Sequence, residues 1–400
     1  MKVLHVIPSV SDQAGGPSQA IFPMCRSLGA AGVDVLLATT DDGASSFEFQ
    51  VSSSPSSSPS GAGDSAIREF RGVQTIWFPK QWGQSFKYSR PFSLWLNEHV
   101  ADYDLVHIHA VFNHACIAAA RACRRQGVPY IVRPLGTLDP WSMKQKSLRK
   151  RVFWQAGVNA MLSSAAAVHY TARAEQEGTE RSLGLNHGVV VPLGVELPSG
   201  RPKSRELLAA RIPLLVDHPY VLVLSRLLPT KGIHVLLQAF LELVQQQKFA
   251  DWRLVLAGEG PADYVDGLRA AAADASERVL FAGWLGGEAK EAALSNASLL
   301  ALPSYHENFG LCVIEAMACS VPVLVSPQVN LAPDIETAGA GWVAEIEVDA
   351  LRSALTTALG DRAELLRRGA EGRKLAGKFE WPVIAGRLTD LYSSILSAAA

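Results

Sequence analysis

YVLVLSRLLPTKG, residues 220–232, sets an apolar run of buried-strand type in front of Ser-Arg, a Pro-Thr-Lys-Gly turn and a helical stretch. It matters because it is a second beginning. A first series of such runs has already passed: KVLHVIP at the start, VDVLLATT, DLVHIHA (104–110), PYIVRP (129–134), AAVHY (166–170) and VVVPLG (189–194), with helical stretches between them. From 220 onward the alternation restarts with WRLVLAG (252–258), RVLFAGW (278–284), SLLALP (298–303) and VPVLVS (321–326). Strands separated by helices build parallel sheets, and two series predict an α/β chain of two doubly wound, Rossmann-like domains facing across a cleft. The boundary is expected within 196–219, where Pro, Gly and charge replace the periodic pattern. This gives an N-terminal domain over 1–198 and a C-terminal domain over 199–380. An amphipathic last helix over 381–400 carries Trp381, Ile384, Leu388, Leu391, Tyr392 and Ile395 on one stripe and is expected to pack back toward the first domain. The Ser/Pro-rich stretch 44–66 reads as a flexible insertion.

Composition narrows the function classes. The chain of 400 residues is 48% hydrophobic, enough for large cores. Its 37 basic and 38 acidic residues leave a formal net charge of −1, which argues against a nucleic-acid partner but leaves local patches open. One such patch lies between Arg121 and Arg151, where nine basic residues face a single acid, Asp139, beside Trp141, Phe153 and Trp154. Two readings stay open for it: contact with an anionic membrane surface or a lipid diphosphate acceptor, and a solvated basic face. The five cysteines have no C-x-x-C spacing and read as reduced thiols. Met1 to Ser9 is too short for a signal peptide, and no run reaches the ~18 apolar residues of a spanning helix. The expected location is cytoplasmic, with the inner face of the plasma membrane as a peripheral option. Asp102-Tyr103-Asp104 precedes its strand and reads as a polar turn, not a metal motif.

Ligands of doubly wound sheets bind outside the carboxyl ends of the strands. In the second series those positions hold Arg226 and Lys231, then Gly258-Glu259-Gly260-Pro261, Gly283-Trp284, and SYHENFGLCVIEAMAC from Ser304. In the first they hold Gly15-Gly16, His109 and the loop beginning at Gly136. A helix opening near Phe309 points its amides and positive dipole end at an anion. Arg226 and Lys231 add a fork and a point charge suited to a diphosphate. Glu307 and Glu315, eight residues apart, lie at most ~12 Å apart along a helix axis. That exceeds the ~5–9.5 Å between paired glycosidase carboxylates, so the two are not expected to flank one bond. Each carboxylate suits a vicinal diol instead.

The combination P-S-x-x-E-x-F-G, E-A-M-A-C and S-R-L-x-P-x-K-G, with GGPS, DLVHIHAVFN, PLGTLDPW, HYTARAE, VPLGVE and LAGEGP, resembles the retaining nucleotide-sugar glycosyltransferases of family 4, group 1, with the GT-B fold. The resemblance covers nearly the whole chain. It implies transfer of a hexosyl unit from a nucleoside diphosphate sugar to a hydroxyl of a glycan or lipid-linked saccharide, with retention and without metal or other cofactor. It assigns Arg226 and Lys231 to the diphosphate, Glu307 to the transferred sugar and Glu315 to the ribose. Phe309, Gly310 and Leu311 would offer backbone amides, and base contacts fall near Trp284 and Leu285. Gly15 and Gly16 would allow close approach of donor and acceptor. His109 would lie against sugar hydroxyls, with His107 on the opposite pleat face as a packing residue. The sequence departs from the family pattern at Ser320, where glycine is common, at 325–336, at Leu193, and at Asn308, which is expected to cap the helix. A nucleotide-sugar epimerase of the same architecture and a catalytically silent nucleotide-sugar-binding subunit remain as alternatives.

Overall fold

The computed structural model describes residues 1–11, 16–42, 67–144, 147–198, 206–209, 212, 215 and 218–399. The insertion 44–66 and Gly15 lie outside these residues, as does much of 196–219. The chain divides into two compact units, Met1–Gly194 with Trp381–Ala400, and Val195–Glu380.

The first unit is built on β1 (Lys2–Val6), β2 (Asp34–Thr40), β3 (Arg68–Phe70), β4 (Val73–Phe78), β5 (Leu105–His109), β6 (Tyr130–Arg133), β7 (Ala167–Tyr170) and β8 (Gly188–Val190). Their order in the sheet is β3-β4-β2-β1-β5-β6-β7-β8. All neighbours are parallel except the β3–β4 hairpin. The sequence reading did not find β3 or β4, although VQTIWF is β-branched and aromatic enough to read as a strand. Chain order reverses between β1 and β5, the switch point of this sheet.

The pleat sorts the strand residues by face. Leu4, Val6, Val106, Ile108, Val132 and Val168 share one apolar core with the helices Arg90–His99 and His114–Gln126. His5, His107, His109, Arg133 and His169 alternate with them and point the other way, all at most 2% exposed. The expectation that His107 and His109 face opposite sides is therefore corrected: residues two apart share a face, and these two rings lie 4.3 Å apart.

The last helix, Trp381–Ala399, belongs to this unit and packs on the helix Gly16–Ala30. Its buried stripe is Trp381, Ile384, Ala385, Leu388 and Tyr392, while Leu391 and Ile395 are only partly covered. Trp381 sits so close to Gly194 that a Cβ there would lie 2.2 Å from the indole. Tyr392 reaches the histidine row, and the hydrogen bonds fix its polarity. His169 Nε2 is 2.7 Å from the Val191 carbonyl, which only accepts, so that nitrogen carries the proton. Its Nδ1 then accepts from His107 Nε2 at 3.1 Å, and His107 Nδ1 accepts the Tyr392 hydroxyl at 2.7 Å. The relay ties the last helix to the sheet through neutral rings. His5 Nδ1 and His109 Nε2 form a second link at 3.0 Å.

The second unit carries β9 (Tyr220–Leu224), β10 (Arg253–Ala257), β11 (Val279–Gly283), β12 (Leu299–Leu302), β13 (Val323–Val325) and β14 (Gly341–Val343). The order is β11-β10-β9-β12-β13-β14, all parallel, with the switch between β9 and β12. Full burial of Tyr220–Val223 and Leu299–Ala301 explains why these strands read as continuous apolar runs and not as alternation.

The basic stretch does not form one surface. Arg133 is 2% exposed inside the first sheet, and Lys150 donates to the carbonyls of Thr137 and Ser142. Phe153 and Trp154 pack against the core. Asp102 and Asp104 act as local acceptors, for His99 at 3.2 Å and the Lys2 amide at 2.7 Å. No helix among the described residues is long and apolar enough to cross a membrane.

Burial holds His5 and His169 down to about 3, with Arg133 adding to it, and holds His107 and His109 well below the ordinary imidazole value. The unfolded chain binds these protons near pH 6.5 and the folded chain does not, so stability is complete above that pH and falls as pH drops toward 3. Each ring contributes about 1.4 kcal/mol per pH unit inside that window. Thermal unfolding followed between pH 7 and 4.5 is expected to show a drop in Tm steeper than one histidine produces, and a shallower one in His169→Gln. A flat profile in that range would contradict the neutral row.

Candidate active site

The carboxyl edge of the second sheet is assembled by backbone contacts that only glycine permits. After β9 the chain makes a turn at Pro229–Lys231 and passes Gly232 at φ +64, where a Cβ would lie 2.1 Å from the Pro303 carbonyl. After β10, Gly258 has φ +145 and its missing Cβ would lie 1.8 Å from Ser225 O; at Gly260 the corresponding distance to Leu227 O is 1.9 Å. Leu227 N donates to Glu259 O at 2.8 Å and Gly258 N to Gly283 O at 2.7 Å. The loops following β9, β10, β11 and β12 are thereby drawn together at the switch point.

On that frame Lys231 forms an ion pair with Glu307, both side chains being largely buried. Glu307 is held by its backbone as well: its N–H donates to Gln328 O at 3.2 Å and its carbonyl accepts from Asn330 N at 3.2 Å. Tyr305 N donates to Thr230 O at 2.9 Å, which joins the lysine turn to the glutamate loop. Arg226 is exposed just beyond β9, at the same edge.

The helix after this loop spans Leu311–Ala318, and its N-cap is Gly310 at φ +73 with no side-chain cap. Asn308 is thus not the cap; its carbonyl accepts from the Asn330 side chain at 2.9 Å, which fastens the two loops. Phe309 is 3% exposed and packs edge-on to Phe379 at 6.0 Å, so its ring anchors the loop. Val313 N donates to Gly310 O at 2.8 Å, which leaves the amides of Leu311 and Cys312 as the ones suited to an anion. Glu315, one turn further in, pairs with Lys290 at 2.7 Å. Lys290 sits on the helix Gly287–Ser295, and no local pattern singles it out; the pairing needs two helices brought side by side. Cys312 lies between the carboxylates, and burial together with Glu307 and Glu315 pushes its thiol up to about 12. Trp284 is 50% exposed after β11, whereas Leu285 is buried at 4%.

The other expected site residues belong to the first unit. Gly16 opens the helix Gly16–Ala30. His109 is the last residue of β5, 1% exposed and bonded to His5, so it is not a free side chain beyond the strand. The loop at Gly136 is held by Glu175, a buried carboxylate that accepts from Gly136 N at 2.7 Å and from Thr171 N and Oγ1 at 2.8 Å. Sequence reading placed Glu175 at the end of HYTARAE but gave it no role. His5, His107 and His109 bring ring nitrogens within 4.8 Å of one another, the described group most like a metal-ligand set. The Arg133 charge beside all three and the ring-to-ring hydrogen bonds work against a cation there.

Residues 204–375 match the family model for Glycosyl transferases group 1, and 15–194 match that for the Glycosyl transferase 4-like domain. The chain belongs to the group 1 glycosyltransferases. It is 33% identical over 214 residues to D-inositol 3-phosphate glycosyltransferase of Nocardia farcinica, covering 52% of this chain and 47% of that protein. It is 30% identical over 229 residues to a GDP-mannose-dependent alpha-(1-6)-phosphatidylinositol monomannoside mannosyltransferase of Mycolicibacterium smegmatis, covering 53% and 57%. The chain spans about half the length of the curated relatives it matches. In fold it is similar to Anabaena HepE in complex with UDP and glucose, with TM-score 0.76, 20% identity and coverage of 98% and 100%. Sucrose-phosphate synthase of Thermosynechococcus elongatus gives 0.74 and 23%, with 99% of each chain covered. These likenesses give the group 1 chain the GT-B fold.

Ser320 answers the departure noted at that position. The helix Leu311–Ala318 ends with Val321 N donating to Ala316 O and Ser320 N to Met317 O, both at 2.9 Å, a Schellman ending that requires a left-handed residue. Ser320 takes it, at φ +62. The turn keeps its shape and the serine carries the strain. Ser320→Gly is expected to raise stability by about 0.5–1 kcal/mol, measured by urea unfolding, with unchanged m-value.

Proposed function

We propose that this chain transfers a hexosyl unit from a nucleoside diphosphate sugar to a hydroxyl of a saccharide or lipid-linked saccharide, with retention at the anomeric carbon. The observation that carries the reading is the pair of lysine–carboxylate couples, Lys231 with Glu307 and Lys290 with Glu315, set around the start of the helix Leu311–Ala318. The complex of Anabaena HepE with UDP and glucose is consistent with a nucleotide-sugar donor.

In this reading the diphosphate settles over the helix amides, with Arg226 and Lys231 on its oxygens. Negative charge grows on the diphosphate as the glycosidic bond breaks, and fixed cations and amides meet it without reorganisation. They supply the charge that a metal would otherwise bring. Glu307 and Lys231 hold one another before the donor arrives, so each is already oriented. Glu307 then accepts from the sugar hydroxyls and Glu315, steadied by Lys290, from the ribose. The exposed Arg121, Arg124 and Arg151 are the basic contribution of the first unit toward an anionic surface.

Thermal unfolding with UDP, GDP and ADP, each alone, tests the donor site. One nucleotide at ~100 times its Kd is expected to add ~2.7 kcal/mol, and Glu315→Ala to lose that gain. With the matching sugar nucleotide, Lys231→Ala is expected to lower kcat/KM about 10²–10³-fold. Nucleotide binding with no transfer to any acceptor would favour a silent subunit, and a changed sugar nucleotide without acceptor would favour an epimerase. Cosedimentation with anionic vesicles, reduced in an Arg121→Ala/Arg124→Ala double variant, is the expected result for membrane contact; equal pelleting with neutral vesicles would oppose it.

A further inference from the structure

The helix Leu311–Ala318, which carries the amides and Glu315 of the site, rests on a second helix that the site does not use. This is Arg362–Gly377, and it approaches through glycines. A Cβ at Gly369 would stand 2.1 Å from Ser320 O, and one at Gly372 would stand 3.1 Å from Met317 Cγ. Contact this close leaves no slack, so a displacement of one helix is felt by the other.

Arg373, the next residue of the supporting helix, spans two carbonyls. Its Nη1 donates to the carbonyl of Ala318, the last residue of the helix Leu311–Ala318, and its Nη2 donates to Pro198 O at 3.2 Å. A guanidinium suits the place twice over: its planar fork serves two acceptors, and its charge favours the negative end of a helix. At the other end of the same helix Phe309 packs edge-on to Phe379, and both rings are buried, at 3% and 7% exposure.

Pro198 and Phe379 stand where the chain changes unit. It leaves the first unit between Gly194 and Val195 and returns to it between Glu380 and Trp381. Val195 N donates to Phe379 O at 2.7 Å, and Val195 pairs with Glu380 in a parallel bridge, so the outgoing and returning segments run side by side. Within the second unit, therefore, each end of the helix Leu311–Ala318 is tied to one of these segments. Phe309 with Phe379 ties its leading loop to the returning segment, and Arg373 ties its last carbonyl to the outgoing one.

We propose that Arg373 and Phe379 are positioning residues that carry occupancy of the helix Leu311–Ala318 to the two passing segments. A diphosphate on the amides of Leu311 and Cys312 fixes the loop and the helix, and the two ties then hold Val195–Pro198 and Phe379–Glu380 more firmly. A packed and hydrogen-bonded path of this kind is a physical carrier of coupling. The proposal rests on the glycosyl-transfer reading, in which the ligand is the donor, and adds to it two residues that act without touching that ligand.

The test is amide hydrogen exchange of the full chain with and without UDP, GDP and ADP, each alone, in the wild type, Arg373→Ala, Arg373→Lys, Phe379→Leu and the double variant Arg373→Ala/Phe379→Leu. In the wild type the nucleotide that binds is expected to slow exchange in 307–318 and also, by about fivefold or more, in 195–198 and 379–380. Each single variant is expected to keep the slowing in 307–318 and to lose part of it in the passing segments, and the double variant to lose it there entirely. Arg373→Lys, which keeps the charge but not the fork, is expected to follow Arg373→Ala. Nucleotide Kd, by calorimetry on the same preparations, is expected to stay within about threefold of wild type, because neither side chain touches the ligand. Undiminished slowing of the passing segments in the double variant would overturn the proposal, and so would loss of nucleotide binding in Arg373→Ala, which would make that residue a ligand contact. Slowing confined to 307–318 in the wild type would overturn it while leaving the transferase reading in place. If none of the three nucleotides slows exchange in 307–318, both fall together.

Discussion

Backbone against backbone at the carboxyl edge of the second sheet is the constraint from which its site follows. At Gly232, Gly258 and Gly260 a carbonyl oxygen occupies the space that a Cβ would need, at 1.8–2.1 Å. Any side chain there would push apart the loops after β9, β10 and β12. With the loops in contact, Lys231 meets Glu307 and the start of the helix Leu311–Ala318 lies at the same edge. The charges are placed before a ligand arrives, which is what lets fixed dipoles act on a developing charge.

The first unit solves a different problem with polar groups. Its sheet buries four histidines and an arginine on the face that Tyr392 of the last helix reaches, where apolar residues would pack as tightly. The fixed polarity of the Tyr392, His107, His169 and Val191 chain gives the last helix a single register on the sheet, because sliding it would strand a buried hydroxyl and an imidazole. The same neutral rings make the unit sensitive to acid. Stability and attachment of the chain's final segment are one property here.

Much of this was legible from residue types. Apolar runs of four to six residues between helical stretches gave both sheets because parallel strands are buried on both faces. PTKG, GEGP and ENFG marked the edge loops, since glycine and charge sit together only where backbone turns close to a ligand. Other features were not legible. REF and VQTIWF stand behind the insertion 44–66, with no helical stretch between them to mark them as strands of the series. Lys290 looked like any helical lysine, and Glu175 like any helical glutamate, until folding put Glu315 beside the one and Gly136 and Thr171 beside the other. That His107 and His109 share a face follows from the period of a strand alone.

The sequence by itself determined two doubly wound units, the loops that carry the site and the charges within them, because strand burial, turn chemistry and helix polarity are local. Only the tertiary structure decided which lysine serves which carboxylate, that Arg133 is interior and not part of a basic surface, that Ser320 adopts a glycine conformation, and that Lys80 and Lys87 share Asp42. Those pairings join residues from 25 to 76 positions apart. Distances of that kind are set by how helices and loops stack on a sheet, and no period in the chain encodes them.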